Sequence, residues 1–104
     1  MDSEFADKYT AIAVTKNFVG SPHIDTQNIG PFYGMSMGDF ATGGGKIGIE
    51  LNAREIAEVD TREKLCKCDG RFPHWVTEFE GERYSLIYYQ TEGEVTPQTT
   101  AVFV

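Results

Sequence analysis

The fold is indicated first by residues 83–89, which read Arg83-Tyr84-Ser85-Leu86-Ile87-Tyr88-Tyr89. Aromatic and aliphatic residues of this kind favour a β-strand. Ser85, Ile87 and Tyr89 would share one face of the strand, and the tyrosines and leucine between them would share the other. Both faces are largely apolar, so we expect the protein core to cover one of them. A second sheet, a partner chain, a further copy of this chain or an N-terminal segment would cover the other.

The rest of the chain repeats this period of two in short runs separated by Gly, Pro, Asn and Asp. Such a pattern predicts an all-β domain. Eight short strands in 104 residues are typical of a double-stranded β-helix, which is a jelly-roll barrel. The predicted strands are Ala11–Val19, Pro22–Thr26, Phe32–Met37, Lys46–Leu51, Glu55–Asp60, Lys64–Cys68, His74–Phe79 and Arg83–Gln90, with a ninth, short edge strand at Thr99–Val104.

The composition fits one small globular domain over residues 1–104, because 40% of the residues are hydrophobic and 12% are aromatic. Only about ten residues precede the first predicted strand. We therefore expect a minimal domain, or one truncated at its N-terminus. The formal net charge is −7, and no cluster of lysine and arginine could neutralise several phosphates, so direct nucleic-acid binding is disfavoured.

The sequence also carries expectations about cellular location. No apolar run approaches the roughly 20 residues that span a bilayer, and the first residues lack the apolar segment of a secretory signal. Cys66 and Cys68 are too close in sequence for an easy disulfide. We therefore expect an intracellular protein, in the cytoplasm or the nucleus, and no membrane association.

The two histidines of the chain indicate a metal site. His23 and Asp25 are two positions apart, so on a strand they would point to the same side. His74 opens a later predicted strand and can supply a third ligand across the domain. Two imidazoles and one carboxylate suit mononuclear Fe(II), because they occupy one face of the ion and leave positions open for substrates.

Arg83 and Ser85 predict an anion-binding pair on the last core strand. They are also two positions apart and therefore share a face. A guanidinium can hold a carboxylate through two hydrogen bonds, and a hydroxyl can add a third. This is the recognition that the distal carboxylate of 2-oxoglutarate requires, while its 2-oxo acid end would chelate the metal and leave a position for dioxygen.

Several motifs together resemble the Fe(II)/2-oxoglutarate-dependent dioxygenases, over nearly the whole chain. Within that superfamily they look like a branch that is distantly similar to the TET and base-J thymidine hydroxylases. The matching strings are Pro22-His23-Ile24-Asp25, Asn28-Ile29-Gly30-Pro31, Gly38-Asp39-Phe40 with Gly43-Gly44, Asp69-Gly70-Arg71-Phe72-Pro73-His74 and Gly81-Glu82-Arg83-Tyr84-Ser85.

The resemblance implies a function. Oxidative decarboxylation of 2-oxoglutarate by dioxygen would be coupled to hydroxylation of a second substrate. His23, Asp25 and His74 would bind Fe(II), and Arg83 and Ser85 would hold 2-oxoglutarate. Tyr33 is a further candidate for the carboxylate of this co-substrate. The primary substrate stays open between a protein side chain and a modified base.

Other interpretations of the same residues remain open at this stage. His23 and Asp25 could form an exposed turn, and His74 could be a core histidine without a metal. Arg83 could form a surface ion pair with Glu80 or Glu82, where such a pair contributes little. The corresponding alternative functions are a catalytically silent barrel that acts as a binding or assembly module, and a cupin-like metal protein that does not use 2-oxoglutarate.

Overall fold

The computed structural model describes residues 1–103 and confirms that the chain is mostly β, with almost no helix. Eight strands form two antiparallel sheets. The elements are the helix α1 (Ser3–Ala6) and the strands β1 (Ala11–Lys16), β2 (Phe32–Met37), β3 (Ile47–Asn52), β4 (Glu55–Val59), β5 (Cys66–Cys68), β6 (His74–Val76), β7 (Tyr84–Tyr89) and β8 (Val102–Phe103).

The two sheets differ in size. The larger sheet has five strands in the order β1-β7-β2-β5-β8, and the smaller has three in the order β4-β3-β6. Strands that are distant in sequence are therefore neighbours, as β1 and β7 are, with Ala11 opposite Tyr89. Within residues 1–103 neither sheet closes on itself, so a closed barrel is not confirmed.

The core lies between the sheets and comes from both of them. Phe32 and Cys68 from the larger sheet pack with Ile47 and Ile49 from the smaller one. Ile49 and Cys68 are completely buried. Burial raises the pKa of the Cys68 thiol to about 12, so this cysteine is a packing residue rather than a reactive one.

One predicted strand is largely absent. The segment Pro22–Thr26 forms only a single antiparallel bridge, between His23 and His74. Most of this segment is exposed, and Asn28 and Pro31 follow it closely. With few buried side chains and an early break, it has little packing to hold a full ladder against the edge of the smaller sheet.

Other boundaries are shorter than predicted. The strand predicted at Lys64–Cys68 begins only at Cys66, because the turn that precedes it includes Lys64, whose N–H donates to the Thr61 carbonyl (3.4 Å). The strand predicted at His74–Phe79 ends at Val76. The ninth predicted strand is present as Val102–Phe103, and its last position lies outside the described residues.

The N-terminal segment covers part of the outer face of the larger sheet. The side chain of Asp2 accepts a hydrogen bond from the Phe5 N–H (2.8 Å) and so caps the helix α1, which the sequence did not predict. The ring of Phe5 packs 4.9 Å from that of Tyr33, and Tyr9 packs edge-on, 5.3 Å from Tyr88. The chain thus supplies some of the cover that the strand at residues 83–89 requires.

The remaining part of this outer face is open. Ile12 and Val14 of β1 are 49% and 68% exposed. That a second copy or another partner covers them stays a prediction. Over the residues described, the structure has no helix of the length and hydrophobicity that would cross a membrane.

Candidate metal centre

The structure brings the three predicted metal ligands together. The ligand atoms of His23, Asp25 and His74 all lie within 4.8 Å of one another. The Nε2 atom of His23 is 3.7 Å from one carboxylate oxygen of Asp25, and that of His74 is 3.7 Å from the other. The carboxylate therefore stands between the two imidazoles, whose ring centroids are 4.3 Å apart.

Backbone hydrogen bonds hold the two histidines side by side. The N–H of His23 donates to the carbonyl of His74 (3.0 Å), and the N–H of His74 donates back to the carbonyl of His23 (2.9 Å). This reciprocal pair is the bridge that remains of the predicted second strand. A single bridge is therefore sufficient to place residues from distant parts of the sequence on one site.

Both imidazoles have the tautomer that a metal site requires. His23 Nδ1 lies 3.0 Å from the carbonyl oxygen of Ser21, and His74 Nδ1 lies 2.9 Å from that of Phe72. A carbonyl oxygen only accepts hydrogen bonds, so Nδ1 carries the proton in each ring. Nε2 of the neutral ring then keeps its lone pair on the side of Asp25, as in metal-binding histidines whose other nitrogen donates to a carbonyl.

The turn at Gly70 positions Asp25. The Asp25 N–H donates to the Gly70 carbonyl (2.8 Å), and the Asn28 side chain donates to the carboxylate at 3.3 Å. A Cβ atom at Gly70 would lie 2.1 Å from the carboxylate, which shows how closely the backbone approaches it. Asp69 and Arg71 fix this turn through a largely buried ion pair of 2.8 Å.

Arg83 and Ser85 are buried in the same inner cavity as the three ligands. The cavity has a volume of about 160 Å³, and its walls include His23, Asp25, His74, Arg83 and Ser85. This is far more than the 10–15 Å³ or so that one water molecule needs. The prediction that Arg83 and Ser85 share a face with each other, and that this face looks inward, is confirmed.

Arg83 is a buried cation without an acidic partner. Only 3% of the residue is exposed, which excludes a surface ion pair with Glu80 or Glu82. Its Nε donates to the Gly45 carbonyl (2.9 Å), and its guanidinium lies 5.8 Å from the ring centre of Phe40. Burial lowers the pKa of this guanidinium, yet within residues 1–103 no carboxylate lies within ion-pair distance of it.

The structure does not bring Tyr33 to this site. Tyr33 lies on the outer face of the larger sheet, where its hydroxyl donates to the Asp2 carboxylate and its ring packs on Phe5. Burial and this hydrogen bond raise the pKa of Tyr33, and the same hydrogen bond lowers the pKa of Asp2. Phe32 and Gly34, its neighbours on β2, face the cavity instead. The choice of Tyr33 as a ligand of the co-substrate is therefore not supported.

Several supporting residues were not identified from the sequence. The side chain of Thr15 hydrogen-bonds that of Ser85 within the cavity wall. Gly45 supports Arg83, and Gly70 supports Asp25. Both glycines lie in the segments that separate the predicted strands, but nothing in the sequence linked them to particular side chains. Thr15 carried no signal, because only the pairing of β1 with β7 places it opposite Ser85.

Comparisons of the chain with protein-family models, with curated proteins and with solved structures found no match. The resemblance of its motifs to the dioxygenases therefore stays a prediction, and the geometry of the site carries the functional conclusion.

Proposed function

We propose that this protein is an Fe(II)- and 2-oxoglutarate-dependent dioxygenase that hydroxylates a second substrate. The observation that carries the proposal is the shared inner cavity. It has a cluster of two histidines and one carboxylate at one end and an unpaired buried arginine, Arg83, at the other. A small dianion with a metal-chelating end and a distal carboxylate matches both ends at once.

The metal end fits Fe(II) by its donors. Two imidazole nitrogens and one carboxylate oxygen are available, because each Nδ1 faces a backbone carbonyl and each Nε2 lies 3.7 Å from an oxygen of Asp25. His23 is exposed, whereas His74 is almost buried, so the cluster opens to one side only. When bound, iron would supply the activation of dioxygen, with electrons from the oxidative decarboxylation of 2-oxoglutarate. His23, Asp25 and His74 would hold the ion and leave its open side for substrates.

The arginine end fits a carboxylate by its charge. A buried charge without a partner is costly, and an anion in the cavity would offset this cost. Arg83 would bind the distal carboxylate, and the hydroxyl of Ser85, positioned by Thr15, would add a hydrogen bond. The apolar walls near Phe32 and Ile47 would keep bulk water from the carbon chain of the bound co-substrate.

The arrangement of strands supports a double-stranded β-helix as the fold. We count the bridge between His23 and His74 as a very short strand beside β6. The smaller sheet then has four strands and faces the larger one across the core. Two antiparallel sheets joined in this way are the architecture of a jelly roll. In this interpretation His23 and His74 lie on neighbouring strands of the smaller sheet.

The proposal is tested by anaerobic addition of Fe(II) and 2-oxoglutarate, while the visible charge-transfer absorption of the chelate is recorded. We expect the band in the wild-type protein. His74→Ala removes a ligand and abolishes it. Arg83→Ala keeps the metal ligands but lowers the affinity for 2-oxoglutarate about a hundredfold, because a charged hydrogen-bond donor is lost. Arg62→Ala is the matched control, because Arg62 also packs on Phe40 but does not line the cavity.

The outcomes separate the alternative functions. A folded wild-type protein that shows no band contradicts the proposal and favours a silent binding module. A band that disappears in His74→Ala but is unchanged in Arg83→Ala contradicts the role of the arginine. Iron uptake without any effect of 2-oxoglutarate favours a cupin-like metal protein. Circular dichroism of each variant establishes that it is folded.

A further inference from the structure

A second, open cleft adjoins the metal cluster. It has a volume of about 350 Å³ and lies between the segment 24–28 and the inner face of the larger sheet, represented by Ala13, Ile87 and Tyr89. Asp25 and Ile87 line both this cleft and the inner cavity. A molecule in the cleft would therefore reach the metal cluster beside Asp25, whereas Arg83 lines only the inner cavity.

The cleft offers neutral polar groups. Its polar side chains besides Asp25 are the hydroxyls of Thr26 and Tyr89 and the amides of Gln27 and Asn28. No lysine or arginine lines it. The Gln27 amide and the Tyr89 hydroxyl form no side-chain hydrogen bond with other residues of the described part of the chain. Such walls suit amide groups, and they do not suit phosphates, which need cations.

The strand that borders this cleft has a free edge. The strand β1 pairs with β7 on one side and is the last strand of its sheet on the other. The Asn17 N–H donates to the Arg83 carbonyl, directly opposite. Because hydrogen-bonded and non-bonded pairs alternate along an antiparallel ladder, the N–H groups of Ile12, Val14 and Lys16 point away from β7. No backbone group of residues 1–103 pairs with them.

We propose that the primary substrate is an extended, uncharged segment of polypeptide that pairs with the free edge of β1. Strand addition of this kind derives affinity from main-chain hydrogen bonds and places alternate side chains in pockets. One side chain of the bound segment would enter the cleft beside Asp25. The neutral groups of Gln27 and Tyr89 would contact amide groups of the bound segment. That this side chain is then hydroxylated rests on the proposed function, but the binding itself does not.

The test uses a blocked, uncharged peptide of about eight residues of valine, alanine and glutamine, a usual strand length. The peptide is titrated into the labelled protein while backbone amide resonances are recorded by NMR. We expect shifts at Ile12, Val14 and the segment 24–28. The same peptide with alternate amides methylated should bind about tenfold more weakly or worse, because it cannot form the ladder. A single-stranded oligothymidylate is the comparison for a nucleic acid.

A matched pair of variants tests the same edge from the side of the protein. Val14 is exposed, and its N–H points away from β7, so Val14→Pro removes one edge donor while the pairing with β7 is retained. We expect Val14→Pro to lower the affinity for the peptide about tenfold. Val14→Ala should leave this affinity within about twofold of the wild-type value.

Each outcome decides the proposal. Equal binding of the methylated and unmethylated peptides, an unchanged affinity in Val14→Pro, binding of the oligonucleotide alone, or no shift with any probe would each overturn it. Loss of peptide binding in Val14→Pro with an intact iron–2-oxoglutarate band shows that the edge acts separately from the cofactor site. Absence of that band in the wild-type protein, with peptide binding present, overturns the proposed function but not the edge.

Discussion

The two ends of the inner cavity are built in different ways. The metal end lies outside the larger sheet, on a segment joined to β6 by one bridge and on the turn at Gly70. The arginine end belongs to β7 and its N-terminal flank, and β7 is an interior strand of the larger sheet between β1 and β2. Arg83 and Ser85 are 3% and 7% exposed. At the metal end, the side chains of His23 and Asp25 are 43% and 31% exposed, whereas that of His74 is only 11% exposed. Under the proposed function, the buried arginine end would hold the anion, and the more exposed side of the metal end would be where ligands exchange.

A glycine supports each end of the cavity, so each end can be perturbed separately by substituting its glycine. Gly45 has a φ of +66°, and a Cβ there would lie 2.9 Å from the Arg83 side chain and from the ring of Phe40. Gly70 approaches the carboxylate of Asp25 even more closely. If the two ends are independent, each substitution should impair only its own end.

Gly45→Ala is expected to have the largest effect on stability. The left-handed backbone costs a non-glycine residue about 1–2 kcal/mol, and the collision with Arg83 and Phe40 adds to this, so the free energy of unfolding should fall by roughly 3 kcal/mol. Displacement of the arginine should lower the affinity for 2-oxoglutarate about tenfold, while the affinity for Fe(II) stays near the wild-type value. Urea unfolding and anaerobic titration measure the two effects.

Gly43→Ala is the matched control for this substitution. Gly43 lies in the same loop with a φ of +93°, but nothing lies within 4 Å of its Cβ position. It should therefore show only the backbone cost, with 2-oxoglutarate binding intact. An equal loss of affinity for 2-oxoglutarate in both alanine variants would show that the loop conformation, rather than the contact with Arg83, determines this affinity.

Gly70→Ala should show the complementary pattern. The new methyl group displaces the carboxylate of Asp25, so we expect Fe(II) affinity to fall about 10- to 100-fold, as for the loss of other groups that orient metal ligands. The Arg83 end should be unaffected once saturating metal is supplied. Gly43→Ala again serves as the control, because nothing lies within 4 Å of its Cβ position. An unchanged Fe(II) affinity in Gly70→Ala would contradict the positioning role of this turn.

Tyr33→Phe should have the smallest effect, because Tyr33 belongs to neither end. It loses a hydrogen bond to Asp2 on the outer face, so the free energy of unfolding should fall by about 1 kcal/mol or less. Binding of Fe(II) and 2-oxoglutarate should be unchanged. A clear loss of 2-oxoglutarate binding, with the protein still folded, would restore Tyr33 as a residue of the site.

Most strands could be predicted, because their alternation is a local property. The strand Phe32–Met37 has the predicted bounds. Residues 52–58 contain good helix formers, but the strand predicted at Glu55–Asp60 is present as Glu55–Val59. It follows a turn in which the Asn52 side chain accepts hydrogen bonds from the Arg54 and Glu55 N–H groups. The prediction of a strand at Pro22–Thr26 was wrong. Pairing of this segment depends on β6, and only His23 pairs there.

The site was predicted to a different degree at its two ends. His23, Asp25, Arg83 and Ser85 could be grouped in pairs from spacing alone, since residues two apart on an extended chain share a side. That His74 meets the first pair required the non-local backbone bridge between His23 and His74. The misplacement of Tyr33 has the same origin, because alternation shows that it faces away from Phe32 but not which of the two is inside.

The sequence by itself determined the β class, the residues that share a strand face and the chemical types available for a site. These follow from the stereochemistry of an extended chain and from the functional groups themselves. Only the tertiary structure decided which face is buried, that His74 joins His23 and Asp25, and that Arg83 lacks an acidic partner. These depend on the bridge between His23 and His74, on the packing of the two sheets and on the packing of Phe5 on Tyr33, which no local pattern encodes.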